Sequence, residues 1–338
     1  MSGDNAVKKQ RNYLLDFEKG IAAIGVVLVH FQFPGVLGNV LCSVGVCGVI
    51  LFFLISGYFA YDPDDEAACR KLMKRFRRNL VITLIAVGTY LIITVIEQIA
   101  VGTIGEWAEI LKDPWLIPRM IILGDFEFIF GDPLWFMLAL LYSYLILYLI
   151  HRFKVSRYAY YFLPLLLLLR IGMETYTNSY GADWHLSGNF LVGGLPVMLL
   201  GHFMAYKKDR IVKIPLRLTC SLAAAAMLLM FVTVNVKLGD LDVSQIFKIW
   251  CAFEFFVIAL CLPEKKGIPA VGRMGDKYSL YVYLSHYAIG VLMMDILAHF
   301  DAPDWMREWI LPVTVIFLSL MFSAVLYSLL RRRKGKVR

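Results

Sequence analysis

Apolar residues recur along the chain in runs that are each long enough to cross a lipid bilayer. Only 18% of the 338 residues are charged and the mean hydropathy is +0.67, which excludes an ordinary soluble domain. The pattern predicts an all-α, polytopic integral membrane protein with about ten transmembrane helices. We find no internal repeat, and we expect residues 1–338 to form a single transmembrane domain. The runs cover residues 14–32, 38–60, 79–101, 134–150, 157–173, 190–206, 218–236, 245–262, 278–298 and 309–330.

The distribution of positive charge predicts the orientation of these spans. Cytoplasmic connections carry the excess of Lys and Arg, and an even number of spans puts both termini on one side. We therefore expect both termini in the cytoplasm. The formal charge of +8 indicates orientation and contact with membrane lipid rather than nucleic acid binding. Most of the 34 lysines and arginines fall on the predicted cytoplasmic side, at 8–11, 70–78, 152–157, 207–217, 265–277 and 331–338.

One face of the first run carries three polar side chains, Asp16, Lys19 and His30, that are costly in lipid. Lys19 and His30 are eleven residues apart, which leaves them about 20° apart on a helix with His30 about 16 Å deeper. Asp16 lies about 60° from Lys19 on the same face. Asp16 and Lys19 either neutralise each other at the membrane edge or form part of a site. Such a polar face predicts chemistry or transport across the bilayer.

Arg75 and Arg78 lie one helical turn apart in a run of six cations that precedes the third span. One explanation is a cluster that fixes topology and binds anionic lipid. The other is a grip on one phosphorylated ligand, because guanidinium groups suit phosphate oxygens. Both explanations remain open from the sequence alone.

Other polar positions in the spans have similar alternatives. Ser56 and Gly57 end the second span, where the glycine suits either a site or close helix packing. His286 in the ninth span is either a second base or a core histidine. Glu254 is either a carboxylate in a cavity or an interface residue. No cluster with metal-ligand spacing is present, and we expect no metal.

The two longest connections on the predicted outer side have distinctive compositions. Residues 102–133 contain apolar positions at near-helical spacing and predict a helix lying flat on the outer interface. Residues 174–189 are rich in hydroxyl, amide and aromatic groups. That composition suits a sugar-like partner, and it equally suits an ordinary solvated loop.

These pieces, in this order, resemble the acyltransferase family 3 proteins, and the resemblance covers nearly the whole chain. The family's first span has an Asp, then an Arg and, after ten intervening residues, a His; this chain has Asp16, Lys19 and His30. FFLISGYF (52–59) is similar to its aromatic-rich Ser-Gly motif, and Arg75 and Arg78 fit its Arg-x-x-Arg pattern. Weaker similarities are PLWFMLALL (133–141), GLPVMLLGH (194–202) and SLYVYLSH (279–286).

The resemblance implies an enzyme of the bacterial cytoplasmic membrane that moves an acyl group, usually acetyl, onto a hydroxyl of an extracytoplasmic cell-envelope glycan. It implies His30 as the base, with Asp16 and Lys19 completing the catalytic set. The implied co-substrate is acetyl-CoA or another acyl-CoA. By the same resemblance the donor binds Lys19, Ser56, Arg75 and Arg78, and the acceptor contacts Trp135, Glu254 and His286.

Position 19 departs from the family pattern, because Lys stands where Arg is most common. An ammonium keeps the charge but lacks the bidentate fork that suits phosphate or carboxylate. The Lys variant also resembles the membrane domain of vancomycin-resistance serine racemases, which is thought to import serine. The alternative function is therefore a transporter for a small polar solute such as serine, with Lys19 binding its carboxylate.

Overall fold

A computed structural model describes residues 11–236 and 240–336, and every regular element in them is helical. The predicted cytoplasmic cations Lys8, Lys9 and Arg338 lie outside the described residues. Helices of at least 12 residues, which we number in chain order, are α1 (Tyr13–His30), α2 (Gly35–Ala60), α3 (Asp65–Val101), α4 (Leu134–Arg152), α5 (Leu163–Tyr180), α6 (Leu195–Tyr206), α7 (Leu216–Asn235), α8 (Ser244–Cys261), α9 (Ser279–His299) and α10 (Leu311–Lys336). Shorter helices lie between them at Ile104–Ile110, Leu116–Leu123, Ser156–Ala159, Lys208–Ile211 and Pro269–Lys277.

Each long helix overlaps a predicted apolar run, although α3 begins well before its run and α5 is shifted toward the C-terminus, and the all-α polytopic fold is confirmed. In the described part of the chain, α2, α3, α4, α7, α8, α9 and α10 are long and apolar enough to cross a membrane. The other three are less apolar or shorter. Helix α1 carries Asp16, Glu18 and Lys19, α5 ends in polar turns, and α6 has 12 residues after a π-helical turn at Phe190–Gly194. A total of ten spans and the side of the termini stay predictions.

Glycines allow α2 to pack at close range against two neighbours. A Cβ on Gly45 would lie 2.2 Å from the carbonyl oxygen of Gly25 in α1, so the backbones touch there. A Cβ on Gly57 would collide in the same way with the backbone of α6. Small residues at helix contacts are the usual means of association in membranes, where apolar burial alone gives little driving force. The glycine of the Ser-Gly motif is therefore explained by packing.

Helix α3 is a single helix of 37 residues, about 55 Å long at 1.5 Å per residue, and so exceeds the bilayer core. Asp64 caps its start by accepting from the backbone N–H groups of Glu66 and Ala67. The basic run that contains Arg75 and Arg78 belongs to the first turns of this helix. The side chains of that run are therefore arranged with helical spacing.

The connection at residues 102–133, for which the sequence predicts a position flat on the outer interface, contains two short helices, Ile104–Ile110 and Leu116–Leu123. Its position relative to the membrane stays a prediction. Trp107 is buried among residues of α3 and the following segment, and its Nε1 donates to the carbonyl oxygen of Phe128 at 2.7 Å. Ile110, Leu111 and Trp115 are exposed. Contact with α3 therefore removes only Trp107 from the exposed apolar positions of this connection.

Candidate active site

A cavity of about 220 Å³ lies where α1, α2, α3, α4 and α9 meet. The structure brings all four predicted donor-binding residues, Lys19, Ser56, Arg75 and Arg78, into its wall. The wall also contains Asn79 and Tyr144 and, from the described residues, no acidic side chain. Helices α1 and α3 thus place three cations around one space that suits an anion.

Lys19 is held in position by a chain of ion pairs. Its Nζ lies 2.7 Å from one carboxylate oxygen of Asp16, while the Nε of Arg11 lies 2.7 Å from the other. Arg11 in turn contacts Asp276 at 2.8 Å from the short helix that precedes α9. Asp16 is buried, and each of its two carboxylate oxygens contacts one cation. The predicted pairing of Asp16 with Lys19 is present, and it orients the ammonium at the edge of the cavity.

Arg75 and Arg78 line the same cavity from α3. Arg75 is half-buried and donates from Nη2 to the carbonyl oxygen of Phe59, at the end of α2, at 3.0 Å. Arg78, one turn further on, is exposed. Between them lies Arg77, which is exposed and does not line the cavity. The i,i+3 spacing thus separates two arginines at the cavity from a third that lies away from it.

The cavity extends along the helices rather than across them. On α2 it runs from Phe59 to Phe52, seven residues, or about 10 Å of rise. The end near Lys19 and Arg78 is cationic, whereas the end near Phe52, Phe136 and Tyr283 is aromatic. An extended ligand with a charged head and a less polar arm fits that division.

His30 and His286 meet beyond the aromatic end of this cavity. Their ring centroids are 5.3 Å apart, and the ring of Tyr287 lies 5.1 Å from that of His30. Tyr283, which lines the cavity, lies 6.0 Å from His286 and donates its hydroxyl to the carbonyl oxygen of Pro133. Tyr283 therefore connects the cavity to the two histidines.

The tautomer of His286 follows from its hydrogen bonds. Its Nδ1 lies 2.8 Å from the carbonyl oxygen of Tyr283 and 3.1 Å from that of Val282. Since a carbonyl oxygen only accepts, Nδ1 carries the proton and Nε2 of the neutral ring presents a lone pair. Nε2 is buried and has no hydrogen-bond partner among the described residues. The position thus offers a fixed acceptor for a hydroxyl proton next to His30.

The remaining predicted acceptor contacts are not gathered at one place. Trp135 precedes the cavity residue Phe136 on α4 but does not line the cavity itself. Its ring lies 6.1 Å from that of Trp184, in the connection between α5 and α6. Glu254 on α8 does not line the cavity and accepts from the indole Nε1 of Trp250 at 3.1 Å. Of the predicted acceptor set, only His286 lies beside His30.

A second polar cluster, which the sequence patterns do not single out, joins four helical segments at the end where α3 begins. His151 Nδ1 lies 2.7 Å from Asp65, its Nε2 lies 2.9 Å from the Nε2 of His202, and Tyr160 lies 3.0 Å from the other nitrogen of His202. Both histidines are buried. Their occurrence near span ends is the only sequence signal, and pairing between distant helices cannot be inferred from it.

The sequence patterns do not single out Glu18 either. Its side chain is buried on the α1 face next to an apolar cavity of about 160 Å³, and its Oε2 has no hydrogen-bond partner among the described residues. It lies away from Lys19, although it is the adjacent residue, because successive helix positions differ by about 100°. Among the described residues, no group of three His, Cys, Asp or Glu side chains is arranged to hold a metal ion.

Comparison with known families decides the general class of this protein. A family model described as an acyltransferase domain, that of the acyltransferase 3 family, matches residues 12–330. The chain belongs to this acyltransferase family. The match runs from the start of α1 into α10, so the acyltransferase assignment covers the whole membrane bundle and confirms the resemblance in the sequence. No curated protein and no solved structure matches the chain.

Proposed function

We propose that this membrane acyltransferase transfers an acetyl or other acyl group from cytoplasmic acyl-CoA to a hydroxyl of an extracytoplasmic cell-envelope glycan. The observation that carries the proposal is the cavity that contains Lys19, Arg75 and Arg78 at one end and approaches His286 and His30 at the other. We propose the bacterial cytoplasmic membrane as its location, with the cationic end of the cavity facing the cytoplasm.

The cationic end suits the phosphates of coenzyme A. The pyrophosphate and the 3′-phosphate together present several anionic oxygens, and arginine binds such groups through two parallel N–H donors. Ser56 adds a hydroxyl to the same wall. The long pantetheine arm of the donor matches the extended shape of the cavity and brings the thioester toward Tyr283 and the histidines.

His30 then acts as the general base. It takes the proton of the acceptor hydroxyl while the hydroxyl oxygen forms a bond to the thioester carbonyl carbon. Collapse of the tetrahedral intermediate breaks the carbon–sulfur bond, and the sulfur leaves with the electron pair. The proton held on His30 neutralises the thiolate, so that the products are the acyl ester and coenzyme A. His286 orients the acceptor through a neighbouring hydroxyl, which donates to its Nε2 lone pair, so the proton of the reacting hydroxyl stays available to His30.

Two further assignments differ in their support. Trp135 supports acceptor binding because it contacts both Phe136, which lines the cavity, and Trp184 of the outer connection. For Glu254, the contact with Trp250 gives no such link. Spans broken at mid-membrane would favour the transporter alternative, and the two helices that carry Lys19, His30 and Ser56, α1 and α2, are continuous.

The test measures thioester turnover by the purified chain in detergent with labelled acetyl-CoA. His30→Ala should abolish both acyl transfer and slow thioester hydrolysis, whereas His299→Ala, at the exposed end of α9, should leave both unchanged. Arg75→Ala and Arg78→Ala should raise the KM for acetyl-CoA about tenfold or more, and Arg77→Ala should not. Unchanged turnover in His30→Ala, or serine uptake without thioester turnover, would reject the proposal.

A further inference from the structure

A group of acidic and aromatic side chains lies at the end of the bundle opposite to the cationic end of the cavity. It combines the segment before α4 and the first turn of α4 with the connection between α5 and α6, which is far away in sequence. We refer to it as the outer cluster, which consists of Asp125, Glu127, Asp132, Trp135, Asp183, Trp184 and His185.

His185 is the buried centre of the outer cluster. Its Nδ1 lies 2.8 Å from Asp183, its ring stacks on Trp184 at 4.0 Å, and its side chain is only 5% exposed. Its Nε2 has no hydrogen-bond partner in the described part of the chain. The nearest carboxylate oxygens, on Asp125 and Glu127, are 3.8 Å and 3.9 Å away, beyond hydrogen-bond distance. The buried Nε2 of His185 therefore points into the cluster without a hydrogen-bond partner there.

The outer cluster carries more negative than positive charge. Arg119 forms an ion pair with Asp125 at 3.4 Å, but it also forms one with Asp113 at 3.1 Å. Burial, together with the carboxylates of Glu127 and Asp125, raises the pKa of Asp132 above its ordinary value. No ion pair to Asp132 is found among the described residues, and Glu127 has only the distant His185 and the indole N–H of Trp184. A bound cation would relieve this excess.

Two indoles border these carboxylates and are held rigidly. Trp135 and Trp184 meet edge to face at 6.1 Å. Gly188 packs against Trp184 and Gly193 against Trp135 so closely that a Cβ would lie 2.3 Å and 3.1 Å from the ring atoms. Fixed aromatic faces beside carboxylates suit the apolar face and the polar edge of a sugar ring. Glu127 and Asp183 are exposed, so the cluster is accessible to a ligand from solvent.

The outer cluster is continuous with the candidate active site. Asp132 precedes Pro133, whose carbonyl oxygen accepts a hydrogen bond from the hydroxyl of Tyr283. Tyr283 lies one helical turn before His286 on α9. Trp135 contacts Phe53 and Phe136, and Phe136 lines the donor cavity. A sugar held by the cluster therefore lies next to the histidines rather than at a separate surface.

We propose that the outer cluster is the acceptor site, and that it selects a glycan carrying a free, protonated amine beside the reacting hydroxyl, such as a de-N-acetylated hexosamine unit. This inference rests on the proposed function, which supplies the acceptor, and adds its chemical class. The ammonium pairs with Glu127 and Asp132, the sugar face packs on Trp135 and Trp184, and a hydroxyl satisfies His185 Nε2. An N-acetylated sugar of the same shape lacks the charge and leaves the carboxylates unpaired.

The test compares two tetrasaccharides of one backbone, fully N-acetylated chitotetraose and its fully de-N-acetylated form, in buffer acidic enough to protonate the amines. Binding to the purified full chain is measured by calorimetry. We expect the amine form to bind at least tenfold more tightly, and Glu127→Gln and Asp132→Asn each to reduce that ratio several-fold. Glu109→Gln is the matched control, because Glu109 is an exposed acid of the same connection that pairs with Lys112 outside the cluster.

Equal binding of the two tetrasaccharides, or an equal effect of Glu109→Gln, would overturn the inference. Thermal unfolding of each variant shows whether a loss of preference for the amine form results from a folding defect. Because Glu127→Gln and Asp132→Asn are independent substitutions, the test still works if one of the two variants fails to fold. Thioester hydrolysis without acceptor separates this result from the proposed function. Turnover that depends on His30 with no preference for the amine form rejects only the inference. Selective binding without any thioester turnover rejects only the proposed function.

Discussion

Lys19 is the residue at which this chain departs from the arginine of its family pattern, and its surroundings explain how a lysine serves there. One oxygen of Asp16 binds the ammonium, and the other binds Arg11. A guanidinium in the same place would compete with Arg11 for that carboxylate. The site thus uses one fixed positive charge at the cavity edge, while Arg75 and Arg78 supply the planar donors.

Replacement of Lys19 tests this division of roles. We expect Lys19→Ala to weaken acetyl-CoA binding about tenfold, because one charge-assisted contact to phosphate is lost. Lys19→Arg should retain most of the affinity, since the charge is kept. The measurement is equilibrium binding of acetyl-CoA to purified protein. Lys112→Ala, in an exposed pair with Glu109, is the control; an equal loss there would contradict the role of Lys19.

Asp132 and Asp183 of the outer cluster have pKa values displaced in opposite directions. Burial and the neighbouring acids raise the pKa of Asp132, so its charged form at neutral pH costs stability. Although partial burial raises it, hydrogen bonds from the His185 backbone N–H and imidazole bring the pKa of Asp183 below its ordinary value of 3.8. The charge on Asp183 therefore contributes stability above that pH.

The two aspartates should respond oppositely to removal of charge. Asp132→Asn should raise the midpoint of thermal unfolding at neutral pH, and the gain should vanish as the pH falls through the raised pKa, because the wild-type carboxyl is then protonated. Asp183→Asn should lower the midpoint at neutral pH, and this loss should shrink as the pH falls through the lowered pKa. Thermal melts of both variants across acidic and neutral pH provide the check. Shifts of the same sign at neutral pH would contradict the electrostatic description.

The location of the proposed donor-binding residues around one cavity could be predicted from the sequence, because each position depends on local rules. Helical periodicity puts Arg75 and Arg78 on one face, and the distribution of Lys and Arg assigns them to the end of the bundle that also holds Lys19. The surroundings of Glu18 and His202 could not be predicted in this way, because they depend on which other helix packs against each residue. Periodicity states that a residue faces inward or outward, but not which distant helix it contacts.

At the scale of elements, close contact between α1 and α2 fixes the geometry of the site. Lys19 and His30 are on α1, Ser56 is on α2, and the two helices cross where Gly25 and Gly45 touch. The apolar runs suffice to predict both helices, yet the glycine contact is visible only once the helices are paired. Likewise, the buried position of Trp107 depends on α3 and could not be inferred from its own amphipathic segment.

Gly45→Ala tests that contact. Its Cβ would lie 2.2 Å from the backbone of Gly25, so the helices must separate, and we expect a loss of about 1–3 kcal/mol in stability. Gly88→Ala on α3 is the matched control, because no atom lies within 4 Å of the added Cβ. It should change stability by less than about 1 kcal/mol, in the favourable direction. Thermal unfolding in detergent reports both, and equal effects would contradict the packing account.

At the scale of the whole molecule, the charges of the two ends differ in a way that suits transfer across a membrane. The cations that line the cavity lie at one end, and the acidic outer cluster lies at the other. An anionic donor would be attracted to the cationic end of the cavity and a cationic acceptor to the acidic outer cluster. His30 and His286 lie between these two ends. The distribution of Lys and Arg predicts the cytoplasm for the first of these ends.

The most direct test places donor and acceptor on opposite sides of a membrane. The protein is reconstituted into liposomes, and the fraction with cytoplasmic ends inward is selected by labelling. Acetyl-labelled acetyl-CoA is enclosed, and an impermeant amine-bearing glycan is added outside. We predict that label appears on the outside glycan in wild-type vesicles and not in His30→Ala vesicles. Label that appears only when donor and acceptor share one side would contradict the account.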